Sequence, residues 1–393
     1  MAIDFMADAE ALRDELVARR RDFHQYPELA FEEHRTAGIV ADELNGLGME
    51  VQTGVGKTGV VGILEGADDG PTVLYRADMD ALPIQEENET DYISKADGVM
   101  HACGHDGHTA IALGIAKLLS NRRGELSGRV KFVFQPAEEQ GRGAEYMIAD
   151  GALESPAPDY CLGIHLWNDL EVGNVSVVSG PTMSGAGLFE ITITGKGGHG
   201  AMPHQTADPI VCSAQVIVAL QSIVSRNVDP LDLVVITIGT LHGGSARNII
   251  PQTVHFAGSF RLFREETREL IKKRIKEVAE GVATAMGCQA HVKFGLGIGP
   301  VVNDVAVAGR AREVFAGFGD AVKVLEQPWM ASEDVGLFMQ RNPSAYLLVG
   351  SANHQRELNY PHHHPRFDID EDVLPLSVGM MSALIADYLG ANS

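Results

Sequence analysis

The chain has 393 residues, enough for a large core and, by length, for two domains. Hydrophobic residues at 45% and charged ones at 21% are those of an ordinary globular protein, and a formal charge of -22 argues against nucleic acid or an anionic membrane as partner. The N-terminal stretch has no basic region or apolar core and no run of roughly eighteen apolar residues occurs, so a secretory signal and a membrane span are not expected and cytoplasmic residence is the default.

Residues 8 to 24 and 32 to 47 carry apolar positions at helical spacing, and Gly48 stops the second. Val60 to Leu64 and Thr72 to Tyr75 are short β-rich runs, the second leading into Arg76-Ala77-Asp78-Met79-Asp80. Thr109 to Leu119 reads as a buried helix, Val130 to Phe134 as a strand, and Tyr160 to Ile164 as another. Strands alternating with helices predict an α/β fold with a mixed, mostly parallel sheet covered on both faces. Near residue 185 the pattern changes. Leu188 to Thr194 alternates with period two. A helix over about 206 to 226 follows, then strands at 233 to 239 and 253 to 261, a helix over about 266 to 286, and a strand at 290 to 294. That β-α-β-β-α-β order is ferredoxin-like α+β. From about 300 the α/β character returns and ends in a helix over 371 to 389. The expected division is residues 1–184 with 298–393 as one domain and 185–297 as an insertion.

The chemistry gathers at strand ends. His101-Ala102-Cys103-Gly104-His105-Asp106-Gly107-His108 precedes the helix at 109, and Gln135-Pro136-Ala137-Glu138-Glu139 follows the strand at 130. His165 ends the strand at 160, and His362-His363-His364 lies in a Pro-bounded loop. Thiolate, imidazole and carboxylate are ligands of divalent transition metals, and strand ends are where an α/β sheet opens its crevice. A lone Cys-x-His also suits a buried structural pair; the other donors shift the balance to a metal site. Five ligands exceed one tetrahedral site with an open position and suit two ions about 3.5–4 Å apart bridging a water. One of the paired glutamates is then free to act as general base in hydrolysis. Asp78 and Asp80 can orient ligand imidazoles, with His101, Asp106 and His108 in support. The four cysteines, at 103, 161, 212 and 288, are expected to be free thiols.

Two glycine-rich motifs mislead. Gly54-Val55-Gly56-Lys57-Thr58 lacks the first glycine of a phosphate loop. Gly195 to Gly200 fits G-x-G-x-x-G, yet Ala201 to His204 separates it from the next helix and no acidic residue stands where a ribose ligand belongs. His199 on that turn could instead stabilise an oxyanion, against the plainer reading of a turn histidine. Arg247 and Asn248 could hold a substrate carboxylate or carbonyl.

Taken together, Phe23 to Leu29, Arg76 to Pro83, His101 to His108, Phe134 to Glu139, Gly163 to His165, Gly195 to His204, Ala246 to Pro251 and His363 to Asp368 resemble one family nearly end to end. It is the dinuclear metallopeptidase and amidohydrolase family of aminoacylases, hippurate hydrolases, auxin-conjugate hydrolases and carboxypeptidases, with the hippurate and auxin-conjugate branch closest. The resemblance implies that the larger domain binds two divalent ions (zinc, manganese, cobalt or nickel) through Cys103, His105, Glu139, His165 and His363, the last chosen because it stands two residues before Pro365. It implies Glu138 as general base, and Asp80, placed to orient a ligand imidazole, is counted with it among the catalytic residues. The inserted domain becomes a lid and dimer interface, with His199 supplied to a neighbouring subunit and Asn248 beside it. The expected reaction is hydrolysis of N-acyl amino acids by a homodimer; a dipeptidase or carboxypeptidase is the alternative.

Overall fold

The computed structural model describes residues 4–390. The chain divides into two compact units. One runs to Thr182 and includes Val302–Pro328 and the chain from Asp334 onward; the other is Met183–Val301 with the short return Trp329–Glu333.

The first unit is built on an eight-stranded mixed sheet. Its spatial order is Glu50–Val55, Gly59–Glu65, Ser127–Gln135, Asp68–Asp78, Tyr160–Glu171, Ser344–Ala352, Asn174–Ser176 and Lys323–Leu325. Strands Ser127–Gln135, Asp68–Asp78, Tyr160–Glu171 and Ser344–Ala352 run parallel. Strand alternation decides what each face holds. Val73, Tyr75, Ala77, Val130, Phe132 and Phe134 join the main core with Leu113, Leu119, Leu374 and Val378 of helices His105–Asn121 and Val373–Tyr388. Arg76, Lys131 and Gln135, which alternate with these along their strands, are equally buried and need polar partners. Lys131 Nζ finds them in the carbonyls of Ala152 and Pro156, each at 2.9 Å.

Four sequence expectations need correction. The helix expected over 8–24 is two, Phe5–Glu10 and Arg13–Gln25, because the ladder tightens where Leu12 N–H bonds to Ala9 O at 3.0 Å. The strand Glu50–Val55 was not expected, and as a largely exposed edge it carries no apolar alternation. The helix expected from Thr109 begins at His105. Helix Pro209–Arg226 is, by length and composition, apolar enough to cross a membrane, contrary to the expectation that no segment is; its inner side packs Cys212, Val216, Leu220 and Ile223 into the core of the second unit.

That second unit is a four-stranded antiparallel sheet in the order Val234–Gly243, Thr253–Leu262, Gly185–Thr194, Gln289–Phe294. Helices Pro209–Arg226 and Glu265–Ala285 complete the β-α-β-β-α-β order. Phe189, Ile191, Ile193, Phe256 and Phe260 face Leu220, Ile271 and Ile275 in its core. Pro209 opens the first helix, and Asp208 caps it by accepting from Ile210 N at 2.9 Å. All four cysteines of the chain are buried free thiols.

Candidate active site

Four segments of the first unit converge at the carboxyl end of its parallel strands. Gly104, with φ +89, caps the helix His105–Asn121 in a left-handed conformation. A Cβ there would make only ordinary contacts, with Leu166 Cβ at 3.5 Å and His108 Nε2 at 3.7 Å, so it is the left-handed backbone of the turn joining Cys103 to His105 that calls for glycine. Cys103, His105 and His165 place their donor atoms within 4.8 Å of one another, and so do Cys103, Glu139 and His363. The sulfur is the corner common to both groups: it lies 3.6 Å from His165 Nε2, while His363 Nε2 stands 3.3 Å from Glu139 Oε1.

The imidazoles are held by the far nitrogen. His105 Nδ1–H donates to the Asp80 carbonyl at 2.9 Å and His165 Nδ1–H to the Leu166 carbonyl at 2.6 Å, so both Nε2 atoms face the cluster. His105 Nε2 and Glu139 Oε1 are buried with no hydrogen-bond partner. Buried donor atoms so poorly hydrogen-bonded, beside a thiol and further imidazoles, fit a divalent cation and leave a purely structural polar cluster costly. The protonation balance agrees. Burial raises the Cys103 thiol, and Glu139, Glu138 and Asp78 push it up further, so without a cation it keeps its proton. Burial opposes charge on His105, yet Asp78, Asp80 and Glu139 outweigh it and hold the ring up at about 10. These are the carboxylates that would attract a metal ion.

Glu138 is 9% exposed and joins His105 and Glu139 in a third donor group. Its turn is braced on all sides. Asp80 accepts from the backbone N–H of Glu138 and of Glu139, each at 3.0 Å, and Glu33 accepts from Ala137 N–H at 2.9 Å. Ala137 has φ +52, a left-handed conformation that a side chain resists; His363, with φ +65, is a second such residue and is tied by its N–H to Ala102 O at 2.8 Å.

Other expected residues sit differently. Asp80 divides its contacts between the glutamate turn, which its carboxylate braces, and His105 Nδ1, which faces both its carbonyl at 2.9 Å and its Oδ1 at 3.3 Å. Asp78 orients His108, whose Nδ1–H lies 2.6 Å from Asp78 Oδ1 and whose Nε2 accepts from Leu166 N, so both its nitrogens are occupied. Asp106 turns away to His24 and Arg20, at 2.8 Å each. His101 is buried with neither ring nitrogen bonded. Arg247, Asn248 and His199 are exposed in the second unit. His199 pairs with Ile249, and Gly200 N–H donates to Asn248 O at 2.9 Å. His199 Nδ1 accepts from Ala201 N at 3.0 Å, which leaves the proton on Nε2.

Sequence reading assigned no role to Glu33, Arg76, Gln135, Asp334 or His362. Arg76 is buried and donates to Asp78 Oδ2 at 2.6 Å and Gln135 Oε1 at 2.8 Å, while Gln135 donates to Asp334 at 2.7 Å. Arg76 and Asp78, two apart on one strand, share a face, and that spacing could have revealed them. Glu33 braces a turn 104 positions away and has no local signal. His362 Nδ1 lies 3.7 Å from Cys103 Sγ; burial and the rings of His165 and His363 keep it neutral.

Cysteine, imidazole and carboxylate donors at the mouth of parallel strands, with a spare carboxylate beside them, define a metal-dependent hydrolase. The model of peptidase family M20/M25/M40 matches residues 74–387. The chain belongs to that family. It is 41% identical to the IAA-amino acid hydrolase ILR1-like 4 of Arabidopsis thaliana, over 96% of this chain and 86% of that protein. It is 38% identical to thermostable carboxypeptidase 1 of Saccharolobus solfataricus, over 96% of each. The crystal structure of a dinuclear metal-binding M20 peptidase from Bacillus subtilis superposes with a TM-score of 0.85 at 34% identity, covering 97% of this chain and 99% of that one.

Proposed function

We propose that this enzyme hydrolyses the amide bond of N-acyl amino acids, with Cys103, His105, Glu139, His165 and His363 holding two divalent cations. When bound, zinc, manganese, cobalt or nickel would polarise the scissile carbonyl and acidify the attacking water. Glu138 takes a proton from that water as its oxygen bonds to the acyl carbon. The carbon–nitrogen bond then breaks while Glu138 returns the proton to the amine, releasing a carboxylic acid and a free amino acid. Asp80 keeps both glutamates on their turn. Supplied to the site of a neighbouring subunit, His199 would donate its Nε2–H to the developing oxyanion, with Asn248 and Arg247 beside it to bind the substrate carboxylate.

The observation that carries this reading is the position of Glu138, grouped with His105 and Glu139 yet outside the two donor groups that share Cys103. The Arabidopsis relative supports an acyl amino acid as substrate, whereas the Saccharolobus relative favours a peptide cut at its carboxyl end. Both substrates present an amide next to a carboxylate. Glu138→Ala should abolish turnover with metal content near native, and full activity in that variant would refute the assignment. A panel of N-acetyl, N-benzoyl and indole-acetyl amino acids against dipeptides should show preference for the acyl series; faster dipeptide cleavage selects the second reading.

A further inference from the structure

We propose that His362 is a positioning residue for the metal centre: its Nδ1–H donates to the sulfur of Cys103 and limits how much electron density that thiolate gives to the cations. The inference rests on the ligand reading of Cys103 above.

The ring is oriented from both ends. Nδ1 faces Cys103 Sγ at 3.7 Å, and Asn168 N–H donates to Nε2 at 3.3 Å. A ring nitrogen that accepts from an N–H carries a lone pair, so the single proton of the neutral ring sits on Nδ1 and points at sulfur. Asn168 is itself fixed, its side-chain N–H groups bonding to the carbonyls of Tyr360 at 3.0 Å and Asp368 at 2.8 Å. Trp167 and Phe367 hold the ring at centroid distances of 4.5 and 5.0 Å. The same geometry decides between neighbours in the histidine triplet. Were His362 to ligate a cation through Nδ1, its proton would move to Nε2 and meet the Asn168 N–H, donor against donor. His363 carries no such conflict, because its Nε2 faces Glu139.

Cys103 is the corner shared by two donor groups, so its donor strength acts on both cations at once. A hydrogen bond to a thiolate withdraws density from sulfur and leaves the metal more electrophilic. The cobalt(II)-loaded enzyme reads this directly through its sulfur-to-cobalt charge-transfer band. His362→Phe keeps a flat ring between Trp167 and Phe367 without the N–H; His362→Asn restores an amide N–H near the position of Nδ1. The Phe variant should move the band to lower energy and lower kcat about tenfold with KM little changed, and the Asn variant should move both back toward native. A band unmoved in the Phe variant at native cobalt content overturns the proposal and leaves the ligand reading standing. A native enzyme without the band, together with a Cys103→Ala variant that keeps both cations, removes the ligand reading and the proposal with it. Nitrogen NMR of the zinc-loaded native protein needs no substitution: a proton on Nδ1 of His362 supports the proposal, and one on Nε2 overturns it.

Discussion

Cys103 and His105 each keep a proton that a cation must displace, the thiol through burial and acidic neighbours, the imidazole because three carboxylates outweigh its burial and hold it at about 10. Cation uptake near neutral pH should therefore release two protons, and affinity should rise about a hundredfold per pH unit between about 6 and 8. Chelator competition at each pH measures that slope; a flat profile would mean that neither residue binds metal. His24 sets a different dependence. Burial and Arg20 oppose its charge, but Asp106 and Glu86 prevail and raise it from 6.5 to about 9. A folded-state value above the unfolded one stabilises the fold fully below about 6.5, and that contribution disappears as pH rises toward 9. The metal-loaded enzyme should lose up to about 1.4 kcal/mol per pH unit through this window. Denaturant unfolding should show the slope in the native protein and a flatter one in His24→Gln.

At the scale of elements, the glutamate turn depends on a helix packed against it. Gly143 opens Gly143–Ala149, and a Cβ there would lie 1.6 Å from the Pro136 carbonyl oxygen and 2.9 Å from Gln135 Nε2. Neither neighbour can withdraw: one is backbone, and the other bonds to Asp334 at 2.7 Å. Gly143→Ala should cost about 1–3 kcal/mol of stability by denaturant unfolding, and it should lower kcat by displacing Glu138. A variant as stable and active as native would show that the turn yields freely. The position of Asp80 beyond its strand follows the same logic, since one residue braces both the turn and the ring of His105.

For the whole molecule, the second unit leaves apolar surface uncovered. Val218 is 69% and Val211 49% exposed on helix Pro209–Arg226, which packs beside the edge strand Val234–Gly243. An apolar helix face adjoining an open strand edge is a surface that a second copy would cover. Val218→Asp should shift a dimer toward monomer in sedimentation velocity with little change in unfolding. A native protein that sediments as a monomer would remove the homodimer expectation.

Local pattern alone made the alternation of helix and strand legible, and with it the parallel sheet, because side-chain periodicity is written into consecutive residues. Motif chemistry likewise pointed to Cys103, His105, the Glu138-Glu139 pair, His165 and the histidine triplet as candidate donors, whereas the choice of Glu139 and His363 as ligands and of Glu138 as base rested on the family resemblance. What tertiary structure alone decided were the partners. Glu33 under Ala137, Asp80 beneath two glutamate amides, Asp78 on His108 and His362 against sulfur join residues from 30 to 259 positions apart. Hydrogen-bond direction between such segments depends on how strands are ordered and turns are aimed, and no spacing along the chain encodes that.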